Sequence, residues 1–545
     1  MELGVATHFS QGWDPDLAAE IRPLGAGHAR DSVRWEVGEV RDGSPRYVFD
    51  GPRRSFPDLL AATNIDTRLV FLARHPAYED GATVQSDAAL DAFGMYIAAA
   101  LDRFPNVTTV EIGNEFNASN FVWGPLKAAA FDARAAAHAH IVKAVRQQLD
   151  AMGRPVTLLG GAAHSIPVDY LAAAAEAGLL DAVDAVALHP YTSPPEHVGE
   201  HLDLLKERLA TPSLRIHATE IGREGGTPRG AADYLVKMTA ALASAGVESA
   251  TWYALIEQSW FPNMGLLNAD RSPRPAAAAF ALMQSQVLNG GPANAVELDP
   301  LVRAHAFGDQ ALVIWGSQRA VSLPGARWLD AVGNAVDEPW LDPARPLIAL
   351  PAENGAALDL TLLSLGTTPV RADSFFEFSL EGGAWSQATP VDDIARPLQA
   401  LGGGKPGAPW RPYLGIDWLR PLQVSEWTVV PANFSPGSRE KTHPVTETVH
   451  LPATSNASPV LRLCGFVNVP VESSDGVTLS IETDGTALLD RPLQPGESFV
   501  LDLRLPSVER LSFTIDPGDT ASGDRVRRRY VVVENANCPA VRAQL

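Results

Sequence analysis

Val107-Thr-Thr-Val-Glu-Ile-Gly-Asn-Glu115 is the stretch on which the reading of this chain turns. Its first six residues form an apolar, β-prone run. Asn114 and Glu115, an amide and a carboxylic acid, follow where that strand should stop. A second run, Leu214-Arg-Ile-His-Ala218, delivers Thr219-Glu220 in the same way. Either glutamate alone reads as a salt-bridge partner. What the two can do together depends on whether the rest of the chain brings them to one place.

Outward from this stretch, residues 1–290 alternate short β-like runs with Ala-rich amphipathic segments. The predicted strands are Leu3–Phe9, Ser32–Trp35, Arg68–Ala73, Val107–Ile112, Val156–Gly160, Ala185–Leu188, Leu214–Ala218 and Ser249–Tyr253. Helical patterns lie between them, as in Ser86–Phe104, Pro125–Met152 and Gly230–Ala245. This alternation predicts an α/β fold, a (β/α)8 TIM barrel. A doubly wound sheet is the competing arrangement, but no Gly-rich phosphate turn follows the first strand.

After residue 290 the helical period gives way to short alternating runs and Gly/Pro/Asn/Asp turns. That pattern predicts a small β-sandwich over 291–355, packed on the barrel. The Pro351-Ala-Glu-Asn-Gly-Ala356 stretch reads as a boundary, with a larger C-terminal β-sandwich over 356–545. Trp385, Trp410, Tyr413, Trp418 and Trp427 could give the latter a carbohydrate-binding face, or pack its core.

Length and charge set outer bounds. A chain of 545 residues has room for two or more domains. A net charge of −21 argues against nucleic acid as a partner. A polyanionic substrate would need a local basic patch, for which Arg34, Arg74 and Arg223 are available. No run approaches the ~20 apolar residues of a membrane span, and no leader precedes Leu3–Phe9. The expected location is cytoplasmic, or secreted or periplasmic if a leader has been removed. Cys464 and Cys538 can form one bridge or remain two buried thiols.

A barrel carries its active site at the C-terminal ends of its strands. The predicted ends present, in strand order, His8, Arg34-Trp35, Arg74-His75, Asn114-Glu115, His164, His189 with Tyr191, Glu220, and Trp252 with Glu257 beyond it. Trp123, Trp260 and Phe261 fall in loops after the fourth and eighth strands, where cleft walls form. Such a ring suits a carbohydrate, whose hydroxyls meet the polar groups and whose C–H faces meet the aromatics. Glycosidic cleavage needs two carboxyls, one to protonate the leaving oxygen and one to attack the sugar or activate water. No phosphate cradle, metal cluster or cofactor motif is visible in the ring.

These residues resemble clan A of the glycoside hydrolases, which are (β/α)8 retaining enzymes. The resemblance spans roughly residues 1–290. It rests on Asn114-Glu115, Thr219-Glu220-Ile-Gly222, the His189/Tyr191 pair and Trp252. A barrel followed directly by a β-sandwich is most similar to family 39, with families 5 and 51 as alternatives. The resemblance implies a cofactor-free retaining hydrolase, with Glu115 as acid/base and Glu220 as nucleophile. It implies Asn114 as partner of the sugar 2-hydroxyl and Tyr191 as donor to the nucleophile. The substrate so implied is a poly- or oligosaccharide, such as a bacterial exopolysaccharide. Apolar neighbours and repulsion from Glu220 are expected to raise the pKa of Glu115.

Other readings stay open. Glu224 and Glu257 are rival carboxylates, and His8, His75, His164 and His189 can be sugar ligands or structural groups. His197-Val-Gly-Glu-His201 matches a zinc-peptidase pattern, but it opens a helix on the outer ring. Asn117-Ala-Ser119 is a glycosylation sequon beside Glu115, where a glycan would obstruct the cleft. The alternatives to an enzyme acting on sugars are a non-catalytic carbohydrate-binding protein on a degenerate barrel and a zinc peptidase using His197 and His201.

Overall fold

The computed structural model describes residues 1–41, 44–223, 226–353 and 355–376, and beyond them strands and connecting residues between 384 and 533. Eight parallel strands close into a barrel in sequential order. They are β1 Glu2–Ala6, β2 His28–Ser32, β3 Asp66–Phe71, β4 Val107–Ile112, β5 Thr157–His164, β6 Ala185–His189, β7 Ile216–Ile221 and β8 Ser249–Trp252. Each is followed by a helix on the outside: α1 Ala18–Ile21, α2 Phe56–Ala62, α3 Asp87–Arg103, α4 Phe131–Met152, α5 Val168–Glu176, α6 Val198–Arg208, α7 Pro228–Ser244 and α8 Pro275–Leu282. No helix among the described residues is long and apolar enough to cross a membrane.

The strands are buried on both faces, as a sheet ringed by helices must be, yet the inside of this barrel is not apolar. Near its N-terminal end, His28 Nε2 meets Thr251 Oγ1 at 2.8 Å, and Arg68 reaches Ser249 and His217. One layer higher, Arg30 and Thr219 both donate to Glu111. Buried charges must be paired and hydrogen-bonded to be tolerated, and here ion pairs and hydrogen bonds join the polar side chains within each layer.

Seven further short strands continue the numbering: β9 Ala293–Ala295, β10 Val302–Phe307, β11 Ala311–Gly316, β12 Val321–Ser322, β13 Ala326–Asp330, β14 Leu347–Pro351 and β15 Ser364–Leu365. Five of them form an antiparallel sheet in the order β9-β10-β11-β14-β13, while β12 pairs with β15. The two-residue period of β11 splits its side chains between two cores. Val313 and Trp315 pack with the barrel, whereas Leu312 and Ile314 pack with Trp328 and Leu347. Helix α7 lies under this sheet and is buried continuously from Ala231 to Ala243.

Two antiparallel sheets complete the described chain. One runs in the order Leu422–Val424, Trp427–Pro431, Arg525–Val533, Val460–Val467, Ser498–Arg504, with Val370–Asp373 added on Arg525–Val533. The other runs Ala384–Gln387, Val445–His450, Arg510–Asp516, Val477–Thr483, Thr486–Leu493. Leu461, Leu463, Leu479, Ile481, Phe513 and Tyr530 form a shared core, as in a β-sandwich. Trp410, Tyr413, Trp418 and Cys538 lie outside the described residues, as do the side chains of Trp385, Trp427 and Cys464.

Candidate active site

A cavity of about 820 Å³ opens at the C-terminal end of the barrel. Asn114 and Glu115 enter it from the end of β4, Glu220 from β7, Tyr191 from the loop after β6 and His8 from the end of β1. The turn after β4 is made by Gly113 at φ 86° and continued by Glu115 at φ 44°. A left-handed backbone costs a non-glycine residue roughly 1–3 kcal/mol and persists only where its surroundings hold it. Here Phe116 N donates to Ala162 O of β5 at 3.1 Å and Ala118 N to Glu115 O at 2.8 Å. Together they aim the Glu115 carboxyl across the cavity.

One oxygen of Glu115, one of Glu220 and a ring nitrogen of His189 lie within 4.8 Å of one another. Glu220 is held from two sides: Arg30 Nη1 donates to Oε1 at 2.6 Å and Tyr191 Oη to Oε2 at 2.9 Å. The Arg30 fork also grips Glu111, with Nε on Oε2 at 2.8 Å and Nη2 on Oε1 at 3.1 Å. Its Nη2 reaches Asn114 Oδ1 at 3.1 Å as well. This orients the Asn114 amide with its oxygen toward Arg30, leaving its NH2 as a donor. His189, fully buried, places Nδ1 3.2 Å from Glu115 Oε1 and 3.6 Å from Glu220 Oε2.

Electrostatics follow from this packing of charge. Burial works against the Arg30 cation, but Glu111 and Glu220 outweigh it and hold the guanidinium above its ordinary value. Burial likewise opposes the Glu111 anion, yet Arg30 and His189 bring its pKa down to about 2. For His189 desolvation favours the neutral ring, and the surrounding carboxylates, Glu220 foremost, reverse this and raise its pKa to about 9. The expected elevation of the Glu115 pKa is therefore not found. Desolvation does push it up, but the hydrogen bond and charge of His189 prevail and hold it below the usual carboxylate value. Tyr191 is driven well above the usual phenol range by burial and by Glu220, so it remains a donor.

Of the residues predicted from sequence, the cavity gathers Asn114, Glu115, His164, His8, Tyr191 and Glu220, with Phe261 on its wall. His189 lies beneath them against both acids. The remaining predicted residues lie elsewhere. Strand β2 runs four residues earlier than its predicted start, so Arg34 falls beyond it and pairs with Glu36. Trp35 is buried in the helix layer, donating Nε1 to Glu39 and stacking on Tyr78. His75 packs on the same Trp35 and accepts from Ala77 N.

Trp252 is fully buried and donates Nε1 to Met264 O, so the next residue, Tyr253, faces the cavity instead. Glu257 accepts from Asn263 N and Gly265 N and braces its own loop. Trp123 lies under the Arg74 guanidinium, 4.8 Å away, and Trp260 is 65% exposed without lining the cavity. Of the three arginines considered for a basic patch, only Arg223 lines the cavity. Glu224 lies outside the described residues.

Arg30 and Glu111 join the same side-chain cluster, although neither is singled out by the sequence. The signal was present: Gly25-Ala-Gly27 is a turn, and a strand starting directly after it places Arg30 inside the barrel. The zinc-peptidase pattern fares poorly. His201 Nδ1 is engaged by Ser193 Oγ at 2.7 Å, and His197 is buried. Among the described residues, Glu115, His189 and Glu220 form the one group of three with metal-ligand spacing, and neither His197 nor His201 belongs to it. The sequon is closed too. Asn117 is fully buried, its Nδ2 donating to His164 O and its Oδ1 accepting from His164 N.

No family model matches the chain, and no curated protein matches it. Among solved structures, it is similar to a family 39 glycoside hydrolase from the gut symbiont Bacteroides cellulosilyticus WH2, at 19% identity and TM-score 0.53 over 64% of this chain and 80% of that one. A family 39 β-xylosidase from Caulobacter crescentus aligns at 17% identity and TM-score 0.45, over 65% of this chain and 96% of that one. An exo-β-1,4-mannosidase from Opitutaceae bacterium strain TAV5 aligns at 16% identity and TM-score 0.42, over 52% and 59%. At such identities the likeness is one of fold. In that sense the chain carries a (β/α)8 barrel like that of clan A glycoside hydrolases, resembling family 39.

Proposed function

We propose that the protein is a retaining glycoside hydrolase that cleaves a poly- or oligosaccharide by double displacement. The observation that carries this reading is the approach of the Glu115 and Glu220 carboxylates to within 4.8 Å. Retention places the two carboxyls about 5–5.5 Å apart, whereas inversion needs about 6.5–9.5 Å to admit water.

In the first step Glu220, aimed by Arg30 and Tyr191, attacks the anomeric carbon while Glu115 gives a proton to the departing oxygen. His189 and Glu115 hold that proton between them, across 3.2 Å. In the second step the glycosyl ester removes the Glu220 charge from the site. Glu115, now a carboxylate, takes a proton from water, which attacks the same carbon and releases Glu220. The Asn114 NH2 is positioned to donate to a ring hydroxyl, a contact that strengthens as the oxocarbenium ion develops. His8, Tyr253 and Phe261 supply the flanking wall.

The test is replacement of Glu220 by Gly. Turnover of an aryl glycoside should vanish, and azide should restore it with an inverted glycosyl azide product. Near-normal activity in the variant, or inversion by the wild-type protein, would overturn the reading.

A further inference from the structure

The loop that follows β6 is both a wall of the cavity and an anchor point for the neighbouring sheet. Tyr191, Ser193, Pro194 and Pro195 line the cavity, and Glu196 comes next, 2% exposed. Its Oε1 accepts from Lys237 Nζ of α7 at 2.6 Å and from Trp315 Nε1 of β11 at 2.8 Å. Its backbone oxygen accepts from Arg303 Nε of β10 at 2.9 Å. Lys237 donates again to Pro343 O in the same sheet unit and sits 4.7 Å from the Phe375 ring.

We infer that Glu196 is a positioning residue, through which the β9–β14 sheet holds the cavity wall and the Tyr191 donor in place. A buried ion pair is a costly way to join two surfaces, since well-packed apolar side chains do so equally well. The cost is visible in Glu196 Oε2, which is buried without a hydrogen-bond partner among the described residues. What the pair adds is direction, because three donors from three elements fix one carboxylate and one carbonyl. Pro194 and Pro195 carry that constraint along the chain, their φ angles being locked. At the far end of the same loop Tyr191 Oη meets Glu220 at 2.9 Å. The sheet thereby becomes part of the site's support.

The kinetic arm of the test rests on the proposed glycosidase function, and the exchange arm does not. In the full-length protein, Trp315→Phe removes one donor while keeping the ring, and Glu196→Gln removes the charge while keeping the shape. Each should raise KM roughly tenfold with a smaller fall in kcat, because ångström-scale misplacement of a binding wall is felt at that level. Amide hydrogen exchange across residues 191–197 should accelerate in both variants. A fall in Tm with unchanged KM and unchanged exchange would overturn the inference, since purely structural glue would behave that way. If the wild-type protein turns over no glycoside, the functional reading fails and the exchange result still decides this one. If Glu196→Gln does not fold, Trp315→Phe decides it alone.

Discussion

Arg30 Nη1 stands 2.6 Å from Glu220 Oε1 while the other edge of its guanidinium is clamped on Glu111. Arg30 is thus a spacer between a structural carboxylate and the proposed nucleophile. A planar fork can hold two carboxylates at fixed angles, and an ammonium point charge cannot. Arg30→Lys should therefore keep the net charge but lose the aim of Glu220, lowering kcat by roughly 100-fold. Arg30→Met removes the cation shared by two buried carboxylates and should cost about 3–5 kcal/mol of stability. Steady-state kinetics and thermal unfolding separate the two effects, and an Arg30→Lys variant of wild-type kcat would exclude the spacer role.

The Tyr191 hydroxyl touches only one oxygen of Glu220, so its removal is a cleaner perturbation. A hydrogen bond to a charged acceptor is worth about 1.5–3 kcal/mol. Tyr191→Phe should accordingly lower kcat/KM by roughly 10- to 100-fold with little change in Tm. A loss confined to stability would assign the tyrosine to packing alone.

His189 makes a pH prediction whose sign follows from its environment. Its pKa is raised from the ordinary 6.5 to about 9, desolvation being outweighed by Glu220, Glu111 and Glu115. A folded-state value above the unfolded one gives stabilisation fully present below pH 6.5 and lost as pH rises through 9. The same deprotonation removes the proton shared with Glu115, so kcat/KM should show an alkaline limb near pH 9. In His189→Gln that limb should disappear along with most of the activity. A wild-type profile flat to well above pH 9 would exclude the shared proton.

The sequence shows the barrel more clearly than its interior, and the reason lies in the frame of individual strands. Val107–Ile112 is found as predicted, because its apolar run and following Gly113 mark it unambiguously. Strand β2 is different. His28-Ala-Arg-Asp-Ser32 looks like a polar loop, whereas Ser32-Val-Arg-Trp35 looks β-like. Charges inside a barrel imitate a surface, and Val33 and Trp35 owe their burial to the helix layer beside Phe93 and Tyr96. Trp252 and Tyr253 illustrate a slip of one residue, which exchanges the two faces of a strand. The tryptophan carries the larger apolar signal, yet the tyrosine lines the cavity. Glu115 is legible because it sits in the turn after β4, and Glu220 because an apolar run leads up to it, although β7 continues through it to Ile221. Arg30 is hidden in mid-strand, and Glu111 is masked by the apolar run of β4 around it.

Asn117 carries a prediction about modification as well as stability. Its amide bridges to the backbone N and O of His164 and is not exposed. Expression in a glycosylating host should leave the peptide containing Asn117 unmodified by mass. Asn117→Ala should cost about 1–3 kcal/mol by removing both hydrogen bonds that its amide makes to the His164 backbone. A glycan found on the folded, active protein would contradict the buried bridge.

Acid stability should be set by the buried neutral imidazoles. Burial lowers His28 and His138 to about 4 and His305 to about 3, Arg68 adding to the effect for His28 and Arg303 for His305. These rings stay neutral in the folded protein while the unfolded chain takes up protons from the ordinary 6.5 downward. The unfolded state then binds more protons, so stability falls as pH drops from 6.5 toward 4. Glu111, held near 2 against desolvation by Arg30 and His189, adds a second loss below its ordinary 4.5. Tm should decline in two overlapping stages on acidification. Replacing His138, whose Nε2 accepts from Gly161 N at 3.0 Å, with Gln should flatten the first stage while keeping a side chain that can accept there. An unchanged slope between pH 6.5 and 4 in that variant would remove His138 from the account.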